Sequence, residues 1–325
     1  MSTSLESPGS VVVRNFRAAR SLRGAITAVV VVGVAWAALT TDGFVSSSNA
    51  KAILASMAFT GLVAIGMTLI MVNGNLFSLS LGTTLAISAM VFMAVLDHGV
   101  IPAVLAAVLL GAAMSAAQGW IIAVVAANPI VVTIAGATLA SGLAGRITEG
   151  RSLTPPPNVS GYSALSEPIA GIPVSVLVML AAALVVQVWL SRTVTGRRMF
   201  LVGTSRPAAI ASGLPVVRIT TTAFAMAGLT AGLGGVMLAS LNDNAGLSMA
   251  GTYNYDAIAA AVVGGAAVSG GRGSVWMTLV GALFITTVGD LILLRGYGTG
   301  HQILVKGAIV IVFVLLTSRV GRVRS

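Results

Sequence analysis

Long apolar runs constrain this chain more than any other feature of its sequence. Runs of about 20 apolar residues, the length with which a helix spans a bilayer, recur from residue 24 to residue 318. Only 8% of the 325 residues are charged, whereas a soluble domain carries about 25%. So few charges cannot cover the surface of a soluble protein of this size. The sequence therefore predicts an all-α integral membrane protein and argues against a water-soluble enzyme.

We predict about ten transmembrane helices, some of them short or broken, in a single transmembrane domain over residues 24–318. Nine or eleven spans stay open as alternatives. The fifth and eighth spans are short, so they are expected to be buried, tilted or partly re-entrant inside the bundle. The ten predicted spans are residues 24–41, 51–72, 79–97, 100–126, 129–145, 172–191, 219–241, 256–269, 274–294 and 301–318.

The basic residues predict the orientation of this domain. Lys and Arg number 18 against 8 Asp and Glu, an excess that would indicate a nucleic-acid partner in a soluble chain. Here the basic residues lie between apolar runs, so we predict no nucleic-acid partner. With the N-terminus in the cytoplasm, 13 of the 18 fall inside, as the positive-inside rule requires. We therefore predict that both termini are cytoplasmic.

The two ends of the chain are basic and polar. Residues 1–23 carry an arginine at every third position from Arg14 to Arg23. This pattern fits a basic segment that simply keeps the N-terminus on the cytoplasmic side. The more specific alternative is a helix that binds lipid headgroups. Residues 319–325 form a short basic cytoplasmic tail.

Two connecting loops are unusual. Residues 146–171 are predicted to lie outside and contain three consecutive prolines, which cannot form a spanning helix. This loop is either a plain surface connection or a docking surface for an extracytoplasmic partner. Residues 192–218 are predicted to lie inside and carry five arginines. Within them, Pro207 and Gly213 suit the first turn and the end of a short helix over residues 206–213.

The sequence offers little chemistry of its own. There is no cysteine, and the two histidines, His98 and His301, are far apart in sequence. There is also no nucleotide-binding loop pattern. We therefore predict no catalytic residues, no metal site and no cofactor bound by this chain.

Ionisable residues are scarce within the predicted spans. Asp256, Asp290 and Lys306 fall near span ends. Asp256 is expected to cap the N-terminus of the eighth span, and Asp290 is expected to pair with Arg295 at the outer surface. Carriers driven by protons or sodium generally need charged groups at membrane depth, so their scarcity argues against ion coupling.

Uncharged polar residues interrupt the apolar runs at two places, the second of them around Asn128 and Thr133. The stretch from Val72 to Thr84 contains two Asn, two Gly and several hydroxyl residues, which predicts a broken helix. Irregular backbone at membrane depth must be buried or line a cavity. The two interpretations left open are hydrogen bonding between helices and the lining of a pathway for a neutral polyhydroxylated solute. The candidate pathway residues are Asn73, Asn75, Ser78, Ser80, Asn128 and Thr133.

Four ordered stretches resemble the permease subunit of ribose-type ABC importers, which take up monosaccharides and similar small solutes. Together they cover about residues 50–318. They are Leu79-Ser80-Leu81-Gly82, then Asn128-Pro129-Ile130-Val131-Val132-Thr133, then Gly196-Arg197 with Gly203, Ala208-Ala209 and Ser212-Gly213-Leu214, and finally Asp256-Ala257-Ile258-Ala259-Ala260 running to Gly270-Gly271-Arg272-Gly273.

The resemblance implies a multi-pass protein of the bacterial cytoplasmic (inner) membrane that works by alternating access and has no catalytic role itself. A separate ABC ATPase would use ATP and Mg²⁺, and a periplasmic or lipid-anchored solute-binding protein would deliver the solute. A second permease copy, identical or not, would complete the pathway, with membrane lipid around the assembly. Residues 192–218 would then be a coupling loop that docks on the ATPase. The coupling residues carried over by the resemblance are Arg197, Gly203, Ala208, Ala209, Ser212 and Gly213.

One position departs from the family pattern. Ser78 stands where the family commonly has an aspartate, which leaves the fold and the coupling unaffected but bears on the identity of the solute. The main alternative function is an ATP-independent carrier or channel for a small polar solute. A membrane enzyme acting on lipid is disfavoured, because the chain lacks a nucleophile with a nearby base.

Overall fold

The computed structural model describes residues 32–33, 35–36, 39–157, 159 and 161–322, with side chains described as far as residue 313. The basic N-terminal segment 1–23 and most of the first predicted span, 24–41, lie outside these residues. So do residues 323–325 of the predicted tail.

The described part of the chain is mainly helical. Three one-turn 3-10 helices and a small antiparallel hairpin, β1 (Pro168–Ile169) paired with β2 (Ile172–Pro173), complete it. The α-helices are α1 (Ser47–Val72), α2 (Leu81–Val95), α3 (Val100–Val125), α4 (Pro129–Ile147), α5 (Val174–Arg192), α6 (Val194–Thr204), α7 (Arg206–Ala211), α8 (Val216–Asn242), α9 (Tyr253–Val263), α10 (Val275–Leu294) and α11 (Thr299–Arg322).

Seven of the described helices, α1 to α5, α8 and α10, are long and apolar enough to cross a membrane, with the 3-10 turn at Leu96–His98 continuing α2. The apolar stretch of α11 with described side chains, Thr299–Phe313, is shorter. The all-α membrane architecture is therefore confirmed, while the count of about ten spans stays a prediction.

The core lies around α1, which packs against α8, α10, α9 and α5. In its most apolar window 83% of the residues are buried, compared with 6% for α4. Close crossings of α8 with its neighbours depend on glycine: a Cβ at Gly228 or Gly235 would collide with the backbone of α3 or α2, and one at Gly232 would lie 3.1 Å from the Cα of Val108. These glycines therefore let α8 pack closely against α2 and α3.

The predicted eighth span, 256–269, is wrong at its C-terminal end. Helix α9 has only 11 residues and ends at Val263, far short of the roughly 20 that a complete span needs. Gly264 caps it, Gly265 takes a positive φ of 80°, and the chain then turns back into α10. Gly264 also packs tightly on the backbone of Thr278. The two glycines therefore end the helix inside the bundle.

The segment 192–218 contains more structure than the single short helix expected from the sequence. Helix α6 occupies its first half, and the side chain of Thr193 caps it by accepting a hydrogen bond from the Gly196 amide, 3.0 Å away. Helix α7 is the predicted short helix. Ser205 caps it, Pro207 lies in its first turn, and Gly213 follows it with a φ of 72°.

Candidate functional site

The candidate site is the break between α1 and α2, at residues 73–80. The break begins where Asn73 and Gly74, the latter with a φ of 82°, turn the chain out of α1. Asn73, Asn75, Ser78 and Ser80 are all buried. The predicted broken helix is therefore present, and it lies inside the bundle, where its irregular backbone needs hydrogen-bond partners.

Two side chains from distant helices supply partners for the backbone of Leu79. The amide of Leu79 donates to Thr133 Oγ1 on α4 at 3.1 Å, and its carbonyl accepts from Asn254 Nδ2 on α9 at 2.9 Å. The Oδ1 atom of Asn254 accepts from the amide of Gly82 at 2.6 Å. A single amide side chain thus bridges the end of the break and the first turn of α2.

A second set of hydrogen bonds links the hydroxyl side chains of the break to α3. The Oγ atoms of Ser78 and Ser80 are 3.0 Å apart, and Ser80 Oγ donates to Gln118 Oε1 at 2.6 Å. The structure therefore brings the buried residues Ser78, Ser80 and Thr133 into one uncharged group with Gln118, which is buried, and Asn254, which is half-buried. We call these five residues the polar cluster.

The other three predicted pathway residues lie apart from the polar cluster. Asn73 donates through Nδ2 to Thr220 Oγ1 on α8 at 2.9 Å, while its Oδ1 has no hydrogen-bond partner. Asn75 is buried, and none of the described hydrogen bonds involves its side chain. Asn128 is exposed and caps α4 by accepting from the Ile130 amide at 2.9 Å. The structure gives Asn128 the role of a helix cap.

Sequence reasoning missed Gln118 and Asn254. Gln118 lies in the otherwise apolar helix α3, and Asn254 lies in the first turn of α9. A single amide inside an apolar span is a signal in itself, because a polar side chain in a bilayer needs a partner. That signal could have placed Gln118 among the candidates, although it could not have named Ser80 as its partner.

Asp256 and Lys306 form an ion pair inside the bundle. Lys306 Nζ on α11 lies 2.8 Å from Asp256 Oδ1 on α9, without the alignment of a hydrogen bond. Thr252, which precedes the helix, donates to Asp256 Oδ2 at 2.8 Å. Thr252 is the N-cap of α9 and Asp256 lies within its first turn. The expectation that Asp256 is the cap is therefore wrong.

Asp290 and Arg295, expected to pair with each other, have different partners. Asp290 accepts a hydrogen bond from Asn49 Nδ2 of α1 at 2.9 Å. Arg295 donates to Thr40 Oγ1 at 3.0 Å and lies over the ring of Trp36. Among the described residues, no group of three His, Asp or Glu side chains could hold a metal ion.

The region carrying the predicted coupling residues contacts the bundle at several points. Arg206 donates to the carbonyl of Ala123 near the C-terminal end of α3 at 2.8 Å. Ala209 is buried under α7, whereas Arg197 is exposed and donates to the Arg192 carbonyl. Ala208, Ser212 and Gly213 are exposed around α7.

Three chain segments meet at a group of four glycines that we call the glycine junction: Gly74, Gly203, Gly270 and Gly271. Gly203, in the last turn of α6, has no room for a Cβ, which would collide with the Val72 carbonyl and lie 2.6 Å from the Gly271 amide nitrogen. A Cβ at Gly270 would lie 2.6 Å from the Gly74 Cα. The Gly271 amide donates to the Val72 carbonyl at 3.0 Å. The end of α6 therefore contacts the start of the break directly through backbone.

Comparison with known proteins gives one matching family. The family model described as "Branched-chain amino acid transport system / permease component" matches residues 49–315. The ribose import permease protein of Bacillus subtilis (strain 168) is 33% identical over 278 residues, which are 84% of this chain and 85% of that protein. The ribose import permease protein of Escherichia coli (strain K12) is 29% identical, covering 85% of this chain and 87% of that protein.

A third relative carries a different name. The autoinducer 2 import system permease protein of Escherichia coli (strain SMS-3-5 / SECEC) is 29% identical over 78% of this chain and 79% of that protein. No solved structure was found to match the chain.

Proposed function

The chain belongs to the family of branched-chain amino acid transport system permease components, and from that premise we propose that it is the membrane subunit of an ABC importer for a small neutral polyhydroxylated solute. The observation that carries the solute class is the polar cluster, which offers hydroxyl and amide groups and no charge. Such groups suit the hydroxyls of a monosaccharide. The relatives named for ribose import support the same class.

The charges inside the bundle also favour a neutral solute over an amino acid. A zwitterionic solute needs an opposite charge for each of its ends when it leaves water. Among the described side chains, Asp256 and Lys306 are the buried charged ones, and they lie against each other. Among the described residues, no unpaired buried charge is therefore left for an ammonium or a carboxylate group.

The proposed mechanism is alternating access driven by a separate ATPase that uses ATP and Mg²⁺. We propose that the ATPase docks on α6 and α7, with Arg197, Gly203, Ala208, Ala209, Ser212 and Gly213 as coupling residues. A second permease copy and a solute-binding protein complete the assembly. The glycine junction supports this arrangement, because it gives the end of α6 a backbone contact with the break that carries the candidate pathway residues.

The proposed orientation puts both termini in the cytoplasm of a bacterial cell and the segment 146–171 outside. On that outer side a cleft lies between the start of α1, the loop around Leu165 and the end of α8. We propose this face as the one that receives the solute-binding protein.

Thiol labelling tests this orientation, because the chain has no cysteine of its own. In Glu167→Cys, at an exposed position of the outer loop, the new thiol should react with an impermeant maleimide added to intact cells. The matched variant Arg198→Cys, at an exposed position of α6, should react only after permeabilisation. The reverse pattern would show that the proposed orientation is inverted.

Uptake by reconstituted vesicles tests the function. The permease, its ATPase and its solute-binding protein should take up at least one sugar of a panel of pentoses and hexoses when ATP is supplied on the ATPase side. Leucine is the control, because the family description names branched-chain amino acids. It should not be taken up. An ATPase variant that cannot hydrolyse ATP should abolish uptake. Sugar uptake that continues with this variant would instead establish the ATP-independent carrier.

A further inference from the structure

Gln118 is held in one orientation by the break. It lies on α3 with 6% of its surface exposed, and its Oε1 accepts the hydrogen bond from Ser80 Oγ at 2.6 Å. Ser80 is in turn in contact with Ser78 Oγ at 3.0 Å. Because one end of the side-chain amide is fixed in this way, the direction in which its other end points is fixed too.

The other end of this amide has no partner. Gln118 Nε2 carries two hydrogen-bond donors, and no described residue accepts from them. Nε2 is not one of the fully enclosed polar atoms that lack a partner, so it keeps some accessible surface although the residue is largely buried. Nε2 faces Gly136 of α4, where a Cβ would lie only 2.7 Å away. The missing side chain of that glycine makes the room that the amide occupies.

The helix on this side of Gln118 buries little of its surface within the chain. Thr133 is the buried residue of α4, whose apolar window is otherwise almost wholly exposed. Thr133 and Gly136 are three residues apart, so they lie on the same face of the helix, and that face contacts the polar cluster. The wall in front of the unpaired donors is therefore formed by a helix that buries little of its surface in the bundle.

We propose that Gln118 is a specificity-determining residue whose side-chain amide donates hydrogen bonds to a hydroxyl of the solute as it passes the break between α1 and α2. This inference rests on the proposed function. A donor that the protein itself leaves unpaired discriminates between solutes, because an analogue lacking the hydroxyl does not pair with it. Gln118 thus contributes selectivity in addition to that of the solute-binding protein.

The test compares uptake of one sugar with uptake of its monodeoxy analogues. The probe is the panel sugar that the wild-type vesicles take up best. In Gln118→Met, kcat/KM for this sugar should fall roughly tenfold or more, while kcat/KM for one particular monodeoxy analogue should stay near its wild-type value. The same solute-binding protein is used in every measurement. A change in the ratio of kcat/KM for the sugar to kcat/KM for the analogue is therefore caused by the permease.

A matched glutamine serves as the control. Gln187 on α5 also uses its amide oxygen, which accepts from the Val275 amide at the start of α10 at 3.1 Å. Gln187→Met should lower uptake of every sugar by a similar factor, because that hydrogen bond supports the fold only.

A second variant keeps the amide but displaces it. In Gly136→Ala the new methyl group would lie 2.7 Å from Gln118 Nε2, and the selectivity should change in the same direction as in Gln118→Met. Gly142→Ala, on the same helix, is its control, because a Cβ there meets nothing within 4 Å. This pair gives a result even where Gln118→Met fails to insert.

The outcomes separate this inference from the proposed function. A selective loss in Gln118→Met or Gly136→Ala, with wild-type selectivity in both controls, supports the inference. A uniform loss or no change across the analogues, while the wild type shows ATP-dependent uptake, overturns the inference alone. Absence of sugar uptake by the wild-type assembly overturns the proposed function and this inference with it.

Discussion

Replacing Lys306 with methionine should destabilise the protein by about 3–5 kcal/mol, because it leaves the Asp256 carboxylate buried without its counter-ion. Both side chains are about nine-tenths buried, and the stem of Lys306 lies against Gly289, with Cε 3.2 Å from where a Cβ of that glycine would be. The pair therefore joins α9, α10 and α11. Thermal unfolding in detergent at neutral pH should show the loss as a lower Tm.

A double variant separates the contribution of charge pairing to stability from that of side-chain packing. Asp256→Asn together with Lys306→Met should recover most of the lost stability, since neither position then carries an unpaired charge. Lys51→Met is the matched control, because Lys51 is an exposed lysine at the start of α1, and its Tm should stay close to that of the wild type. A double variant as unstable as Lys306→Met alone would show that packing, and not charge pairing, stabilises this contact.

Replacing Gly203 with valine should disrupt the glycine junction. Even a Cβ at this position would collide with the Val72 carbonyl and approach the Gly271 amide nitrogen to 2.6 Å, and forcing extra atoms into a packed site costs about 1–3 kcal/mol. Because the contact joins α6 to the break, we expect assembled vesicles to hydrolyse ATP while solute uptake falls at least tenfold. Parallel measurements of ATP hydrolysis and uptake check this.

Gly300→Val is the control for this substitution, since a Cβ at Gly300 meets nothing within 4 Å. It should keep the wild-type ratio of uptake to ATP hydrolysis. Gly203→Ala should give a smaller effect of the same kind. Equal losses of ATP hydrolysis and uptake in Gly203→Val would argue for a general folding defect. Unchanged uptake would show that transport does not need the close contact between α6 and the break.

The sequence predicted those parts of the fold that depend on local patterns. Apolar runs gave the long helices within a few residues, because burial and backbone hydrogen bonding leave a spanning segment few other structures. Pro207 and Gly213 predicted α7 by a mechanism that the structure shows: proline suits the first turn, and the positive φ after the helix suits glycine. The polar residues between Val72 and Thr84 predicted the break for the same reason.

Pairings between distant segments could not be predicted in this way. Asp256 and Lys306 are 50 residues apart, and nothing in either local pattern names the other. Asn254 was also missed, because only the three-dimensional fold brings α9 against the Leu79 backbone. The early end of α9 was misjudged for a related reason. Gly264 and Gly265 lie within an apolar run, and only the packing of Gly264 on α10 and the positive φ of Gly265 show that the helix stops there.

The hydrogen bonds of Leu79 have a consequence for how the break can move. Its amide and carbonyl are paired with Thr133 and Asn254 side chains instead of with helix backbone. Either bond can therefore be exchanged for one to water or to a solute hydroxyl without unwinding a turn of α1 or α2. The chain could then rearrange locally with nearly the same number of hydrogen bonds, and the opening that the proposed alternating access requires would not need partial unfolding of the spans.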